Sequence, residues 1–391
     1  MNQKIGTCVS VLLLCISIQA CTFLPANQST AVGSLQLEPS KTTELTLQTE
    51  KTADISEIPI YKSLQLNEEE KIEILDVTGG KLLLNIYQDY KEGDTYFREE
   101  GYSSVTNKIV VYDLETDNIV STKIISDAGF CTDAIFVDDD VAYVVITPNN
   151  NNTLSEFKII KTQGLNSQDI TSGFCRATGF DDPRLVALDK ETFAYSYSNP
   201  ETKEFGVNVV SKNGTITSQI HLVDDGITEH LRTTLYGNGS KYVYYAAVNK
   251  QGTIFIADKD HIINSFVLSQ SERVYDYCFL NNSLFFTMEF VENGTSTKKI
   301  IIKDFNGNNI AETNCDAFYR LESNNIDTVM GIDGTYQAYY AQIYSDNITI
   351  KKINVPAAPV VFFNINTTQF LLHYNYSINN SELRLLNLNL T

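Results

Sequence analysis

The 391 residues contain no tryptophan, only 4 histidines and 8 prolines, and their 29 bases are outnumbered by 48 acids. The missing indole excludes every motif that depends on one. His221, His230, His261 and His373 share no short spacing and no Cys-x-x-Cys pair occurs, so the sequence implies no metal centre. A formal net charge of −19 repels phosphate backbones wherever a concentrated basic patch is lacking, which argues against a nucleic-acid partner. The Gly-x-Ser-x-Gly elbow, the phosphate-binding loop and the dinucleotide fingerprint are all absent, and no cofactor is implied. What remains, at 43% apolar and 20% charged, is the composition of a folded globular chain.

Residues 1–20 join one charge, Lys4, to an apolar run from Val9 to Ile18 that is too short to span a bilayer, the pattern of an export signal. The stretch Ile18-Gln19-Ala20-Cys21 resembles the bacterial lipobox: an aliphatic residue, a free position, a small residue and a cysteine. That resemblance implies loss of residues 1–20, lipidation of Cys21 and an extracytoplasmic protein anchored to a membrane of the bacterial envelope. Acyl chains hold such an anchor at about 0.8 kcal/mol per buried methylene. The acid excess keeps the domain off an anionic lipid surface. Residues 21–58, rich in Ser, Thr, Gln and Glu without a sustained period, read as a flexible tether spanning on the order of 35 Å. Brief alternation in Leu35-Gln36-Leu37 and Leu45-Thr46-Leu47 could add an edge strand to the domain, which is expected over 59–391.

From Pro59 the signal is almost wholly β: short runs of Val, Ile, Tyr and Phe between Asn, Asp and Gly clusters. One strand type recurs, and its central positions can be taken as Val111, Ile159, Val209, Phe255, Ile301, Thr349 and Leu385. Their intervals are 48, 50, 46, 46, 48 and 36 residues. Another strand precedes each copy, introduced by a turn such as Thr78-Gly79-Gly80, Gly237-Asn238-Gly239 or Asp333-Gly334. The unit reads as a four-stranded meander. Steps of this length are too long for a β-helix coil and too short for tandem sandwiches.

With these repeats, and with motifs such as Val111-Tyr112-Asp113-Leu114 followed by Asp117-Asn118, residues 59–391 resemble the β-propeller class. The resemblance implies an all-β fold of seven four-stranded blades, with six or eight as alternatives. The tryptophan-dependent signatures of WD-repeat and sialidase propellers cannot be present. In a meander blade the first-to-second and third-to-fourth turns share one face, here short hairpins such as Asp138 to Asp140. The opposite face receives the longest insertion, Gln88 to Asn107, with Tyr96, Arg98 and Tyr102. It also receives the blade junctions, with Asp133, Arg176, His230, Arg232, Arg273, Tyr275, Asp276, Tyr319 and Arg320 near the channel mouth. Aromatic rings beside arginines suit a protein, peptide or glycan ligand.

Cys131, Cys175, Cys278 and Cys315 remain for the folded domain. An exported protein can pair them, Cys131 with Cys175 between adjacent blades and Cys278 with Cys315, or leave them as buried thiols. Asp304-Phe305-Asn306-Gly307-Asn308-Asn309 faintly resembles a calcium loop, but its glycine is misplaced and its late acid missing, so a hairpin is expected. The leading functional expectation is a non-catalytic binding or scaffold module. A carbohydrate-active or peptide-cleaving hydrolase with carboxylates at the channel mouth is the alternative. A structural subunit of an envelope assembly is a third.

Overall fold

The computed structural model describes residues 53–58, 64, 66–67, 69–89, 104–125, 129–147, 154–163, 166–176, 183–199, 202–223, 232–248, 251–292, 294–315, 318–344, 347–355, 360–377 and 380–388. These form seven antiparallel four-stranded sheets, the blades of a β-propeller. Blade 1 comprises β2 (Glu70–Thr78), β3 (Lys81–Asp89), β4 (Ser104–Asp113) and β5 (Asn118–Ile124). Blade 2 comprises β6 (Phe130–Val137), β7 (Asp140–Thr147), β8 (Leu154–Gln163) and β9 (Asn166–Arg176). Blade 3 comprises β10 (Leu185–Ala187), β11 (Thr192–Asn199), β12 (Glu204–Ser211) and β13 (Ile216–Val223). Blade 4 comprises β14 (Arg232–Gly237), β15 (Lys241–Val248), β16 (Gln251–Asp258) and β17 (Ile262–Val267). Blade 5 comprises β18 (Glu272–Leu280), β19 (Ser283–Glu292), β20 (Thr295–Asp304) and β21 (Asn309–Asn314). Blade 6 comprises β22 (Tyr319–Ser323), β23 (Thr328–Ile332), β24 (Ala338–Tyr344) and β25 (Asn347–Lys352).

Blade 7 is completed from both ends of the described chain. Its strands β26 (Val360–Asn364), β27 (Gln369–Ser377) and β28 (Asn380–Leu388) take β1 (Ala53–Glu57) as outermost partner, in antiparallel register from Ala53 opposite Leu388 to Glu57 opposite Arg384. The closing strand thus comes from residues ahead of Pro59. Each inner strand touches the next around the ring, and β26 touches β2.

The core is divided into seven slices, one between each pair of neighbouring blades. A sheet packed on both faces buries alternate residues in opposite directions, so its middle strands read as unbroken apolar runs. In β3, Leu82, Leu84 and Ile86 pack toward blade 7 while Leu83 packs toward blade 2. Each fully buried side chain of this size contributes about 1.5–3 kcal/mol. Buried tyrosines take the place of the missing indoles. Tyr112 is fully buried, and its hydroxyl donates to Asp117, which sits in the left-handed region at φ 53°.

Two repeat-level expectations need correction. In blade 6, Ile348-Thr349-Ile350 belongs to the fourth strand β25 and Ala338-Tyr339-Tyr340 to the third strand β24, one place further along than the repeat suggested. The second strand is β23, Thr-Val-Met-Gly-Ile, which is wholly buried. Asp333-Gly334 therefore joins the second and third strands. All four domain cysteines are free thiols rather than disulfides. Cys131 lies on the inner strand of blade 2 and Cys175 on its outer strand, facing opposite neighbours. Cys278 and Cys315 belong to the inner strand and outer edge of blade 5. In each case three strand spacings, roughly 14 Å, separate the pair, well beyond bonding reach. Asp304 to Asn309 forms a hairpin, as expected. Asp304 accepts the backbone N–H groups of Asn306 and Asn308, and Gly307 has φ 84°.

Candidate functional site: the central channel and its rim

All seven inner strands line one cavity of about 1250 Å³. In four of them a β-bulge interrupts the ladder and an acid follows: between Ile74 and Asp76, between Cys131 and Asp133, between Val274 and Asp276, and between Tyr319 and Glu322. A bulge leaves one or more residues unpaired and re-aims the side chains around it. Each of these acids reaches the next blade. Asp76 Oδ2 accepts the N–H of Phe136 at 2.9 Å, Asp133 Oδ2 that of Leu185 at 2.7 Å, Asp276 Oδ2 that of Leu321 at 3.0 Å, and Glu322 Oε1 that of Asn364 at 3.1 Å. The second oxygens are engaged too: Asp76 Oδ1 by Val77 N–H, Asp276 Oδ1 by Tyr277 N–H, and Glu322 Oε2 by the Tyr236 hydroxyl at 3.3 Å. Ala134 N–H also donates to Asp133.

Burial raises these carboxyl groups, Asp76 and Asp133 to about 6 and Glu322 to about 8, with Asp276 shifted in the same direction. Two close carboxylates at the channel mouth, one with a raised pKa, are the mark that the hydrolase alternative expects. Here desolvation is the leading cause of each shift, and the hydrogen bonds that oppose it come mainly from backbone N–H groups. Carboxylates so engaged act as clasps between blades. Where blades 4 and 5 meet, a tyrosine replaces the acid: Tyr277 donates to the Thr234 carbonyl at 2.8 Å. Arg184, just before β10, donates to the Thr132 carbonyl at 3.3 Å and lies beside Asp133 and Glu73, whose carboxyl burial also raises.

The bulges also project residues outward onto the face of the blade junctions. Tyr275, the bulged residue of β18, is 38% exposed and meets Tyr319 edge to face, with ring centroids 5.6 Å apart and planes at 89°. Lys298 Nζ sits 5.2 Å from the Tyr275 ring centroid and 5.9 Å from that of Tyr319, and donates to the Tyr319 hydroxyl at 3.3 Å, a bond that raises the lysine's pKa. Arg273, 65% exposed, faces Glu289 at 3.7 Å. Glu289 also accepts from the hydroxyls of Ser296 and Tyr275, with the Ser296 bond the main cause of its lowered pKa. Arg320 is exposed and holds φ 54°, uncommon for a bulky residue. The cause is local: in that conformation its own N–H and that of Leu321 both turn toward the Asp276 carboxylate.

Of the residues singled out from the sequence, Arg273, Tyr319 and Arg320 thus come together with Tyr275 on one rim, while Asp133 is a clasp within the channel wall. Arg176 ends β9 and Arg232 begins β14. Tyr96, Arg98, Tyr102 and His230 lie outside the described residues, as do Cys21 and the region of the export signal. Sequence reasoning missed Asp76, Glu322, Arg184 and Lys298. Lys298 gave no signal, lying in the polar run Ser-Thr-Lys-Lys at the start of β20. Among the described residues no cluster of three or more His, Cys, Asp and Glu could hold a metal ion, and no helix is long and apolar enough to cross a membrane.

No family model matches the chain, and no curated protein matches it significantly. Solved structures do. The propeller YCF48, solved with a D1 peptide, superposes with a TM-score of 0.51 at 12% identity, covering 88% of this chain and 99% of that one. The Dos1 propeller gives 0.48 at 10% identity over 83% and 96% of the two chains. The N-terminal domain of Nup159 gives 0.48 at 11% identity over 90% and 100%. At these identities the likeness is one of fold.

Proposed function

We propose that this chain is a lipid-anchored, extracytoplasmic binding module that engages a protein or peptide on the face bearing its blade junctions. The observation that carries the reading is the division of labour at the bulges of β18 and β22. The acids Asp276 and Glu322 are taken up in holding blades together, while Tyr275 and Arg320 are turned out beside Tyr319, Lys298 and Arg273. A rigid ring presenting aromatic rings and cations, with its carboxylates engaged, is built to hold a partner. One of the propellers of similar fold was solved with a peptide bound, which supports a peptide or protein over other ligands. The anchor rests on the lipobox-like Ile18-Gln19-Ala20-Cys21 and the apolar run before it.

Both parts are open to test. Metabolic labelling with a fatty-acid analogue is expected to mark the wild-type chain and not Cys21→Ser, which should also leave the membrane fraction. Pull-down from native membranes should recover partners that are lost from a Tyr275→Ala, Tyr319→Ala double variant. Recovery of the same partners by that variant would rule out this face.

A further inference from the structure

Three cations stand on the rim of blades 5 and 6, although the chain as a whole is acidic. Against a net charge of −19, Arg273, Lys298 and Arg320 gather around one pair of tyrosines. The adjacent carboxylate, Glu289, is already shared among Ser296, Tyr275 and Arg273. Behind the rim, burial raises the Glu322 carboxyl to about 8. Charges elsewhere on the molecule act weakly at this distance, because the screening length at physiological salt is about 8 Å.

The rings narrow the choice of ligand. A sugar ring stacks on a flat aromatic face, but Lys298 stands over both Tyr275 and Tyr319, and the two planes meet at 89°. Such a pair offers a notch between ring edge and ring face, the shape for a single aliphatic or aromatic side chain. Guanidinium and ammonium groups around that notch are donors only and bind carboxylates well.

We propose that Arg273, Lys298 and Arg320, with the Tyr275–Tyr319 notch between them, form a docking site for an extended acidic peptide segment. Its carboxylates pair with the cations and a neighbouring apolar side chain fills the notch. This deepens the binding-module reading above and rests on it.

The test uses the full chain and fluorescently labelled synthetic peptides of alternating glutamate and leucine, with glutamine and lysine counterparts and a labelled oligogalacturonate, followed by anisotropy. The acidic peptide is expected to bind, and the glutamine and lysine peptides to bind far more weakly. Lys298→Gln and Arg320→Gly should each loosen the acidic peptide about tenfold, the scale of one well-placed ionic contact. Arg320→Gly is informative because glycine suits φ 54°, so the guanidinium is removed without disturbing the backbone; an unchanged thermal melt checks this. Failure of the acidic peptide to bind, equal binding of the glutamine peptide, indifference to both variants, or preference for the oligogalacturonate would each overturn the proposal. If the membrane pull-down still depends on Tyr275 and Tyr319 in those cases, the binding-module reading stands with a different ligand; if it does not, both fall.

Discussion

Asp276 on the inner strand of blade 5 accepts the backbone N–H of Leu321 on the inner strand of blade 6, across a blade boundary and 45 positions of chain. The same contact joins blades 1 and 2, 2 and 3, and 6 and 7, so four of the seven boundaries are clasped near the axis. Removing the acceptor leaves a buried N–H unsatisfied, which costs about 1–3 kcal/mol. Asp133→Ala and Asp276→Ala should each lower stability by that amount in urea unfolding. Asn at either position keeps one acceptor oxygen but turns its NH2 toward the second donor, Ala134 or Tyr277 N–H, and should recover only part of the loss.

The raised carboxyl groups make stability depend on pH with a definite sign. A group whose folded pKa lies above its unfolded value binds more protons when folded, so stability falls as pH rises between the two values. For Asp76 and Asp133 that window runs from 3.8 to about 6, and for Glu322 from 4.5 to about 8. His373, buried and lowered to about 4, acts in the opposite direction, losing stability as pH falls from 6.5. Between about 6 and 8 Glu322 dominates among the described buried groups. Stability should fall there by up to about 1.4 kcal/mol per pH unit, and Glu322→Gln should flatten the slope. Unfolding midpoints measured at half-unit steps of pH would check both.

The four domain thiols should be silent in the native protein. Cys131, Cys175 and Cys278 are fully buried and Cys315 partly so, and burial pushes the Cys131 and Cys278 thiols well up, away from the reactive thiolate. Alkylation followed by peptide mapping should find Cys131, Cys175 and Cys278 unmodified before denaturation and all four modified after it, with no change in mass on reduction. A disulfide-linked peptide containing any of them would contradict the strand placement that separates them.

The blades were legible because their middle strands are buried on both faces. Runs such as Leu82-Leu83-Leu84, Val141 to Val145 and Leu284-Phe285-Phe286 need no alternation to be recognised. Blade 6 slipped by one strand because Ile348 and Ile350, on an outer strand, mimic the third-strand pattern. Arg273, Tyr319 and Arg320 could be found because topology alone sends blade junctions to one face. Asp133 and Asp276 could be found in the same way, but their role as clasps could not, since it depends on bulges. A trace exists all the same: Asp133 and Asp276 each stand five residues before a positive-φ turn residue, Asp138 and Asn281, and Asp76 and Glu322 each stand three before Gly79 and Asn325. An acid at such a distance before the turn, on an inner strand, marks the boundary clasp.

Closure of the ring rests on β1, five residues that pair on one side with β28 and lack any apolar run, which is why the sequence did not disclose them. An outer strand contributes little core, but it covers the edge of β28, whose N–H and C=O groups would otherwise be open to pairing with another chain. Truncation to begin at Ile58 should therefore do two separable things. It should lower the melting temperature, because blade 7 then has three strands and loses the ladder from Ala53 opposite Leu388 to Glu57 opposite Arg384. It should also promote association that grows with protein concentration, visible by size-exclusion chromatography with light scattering. A synthetic peptide spanning Ala53 to Ile58, added in excess, should reverse both effects by refilling the same register. Loss of stability without association, or association that the peptide fails to reverse, would mean that the β28 edge is not what β1 protects.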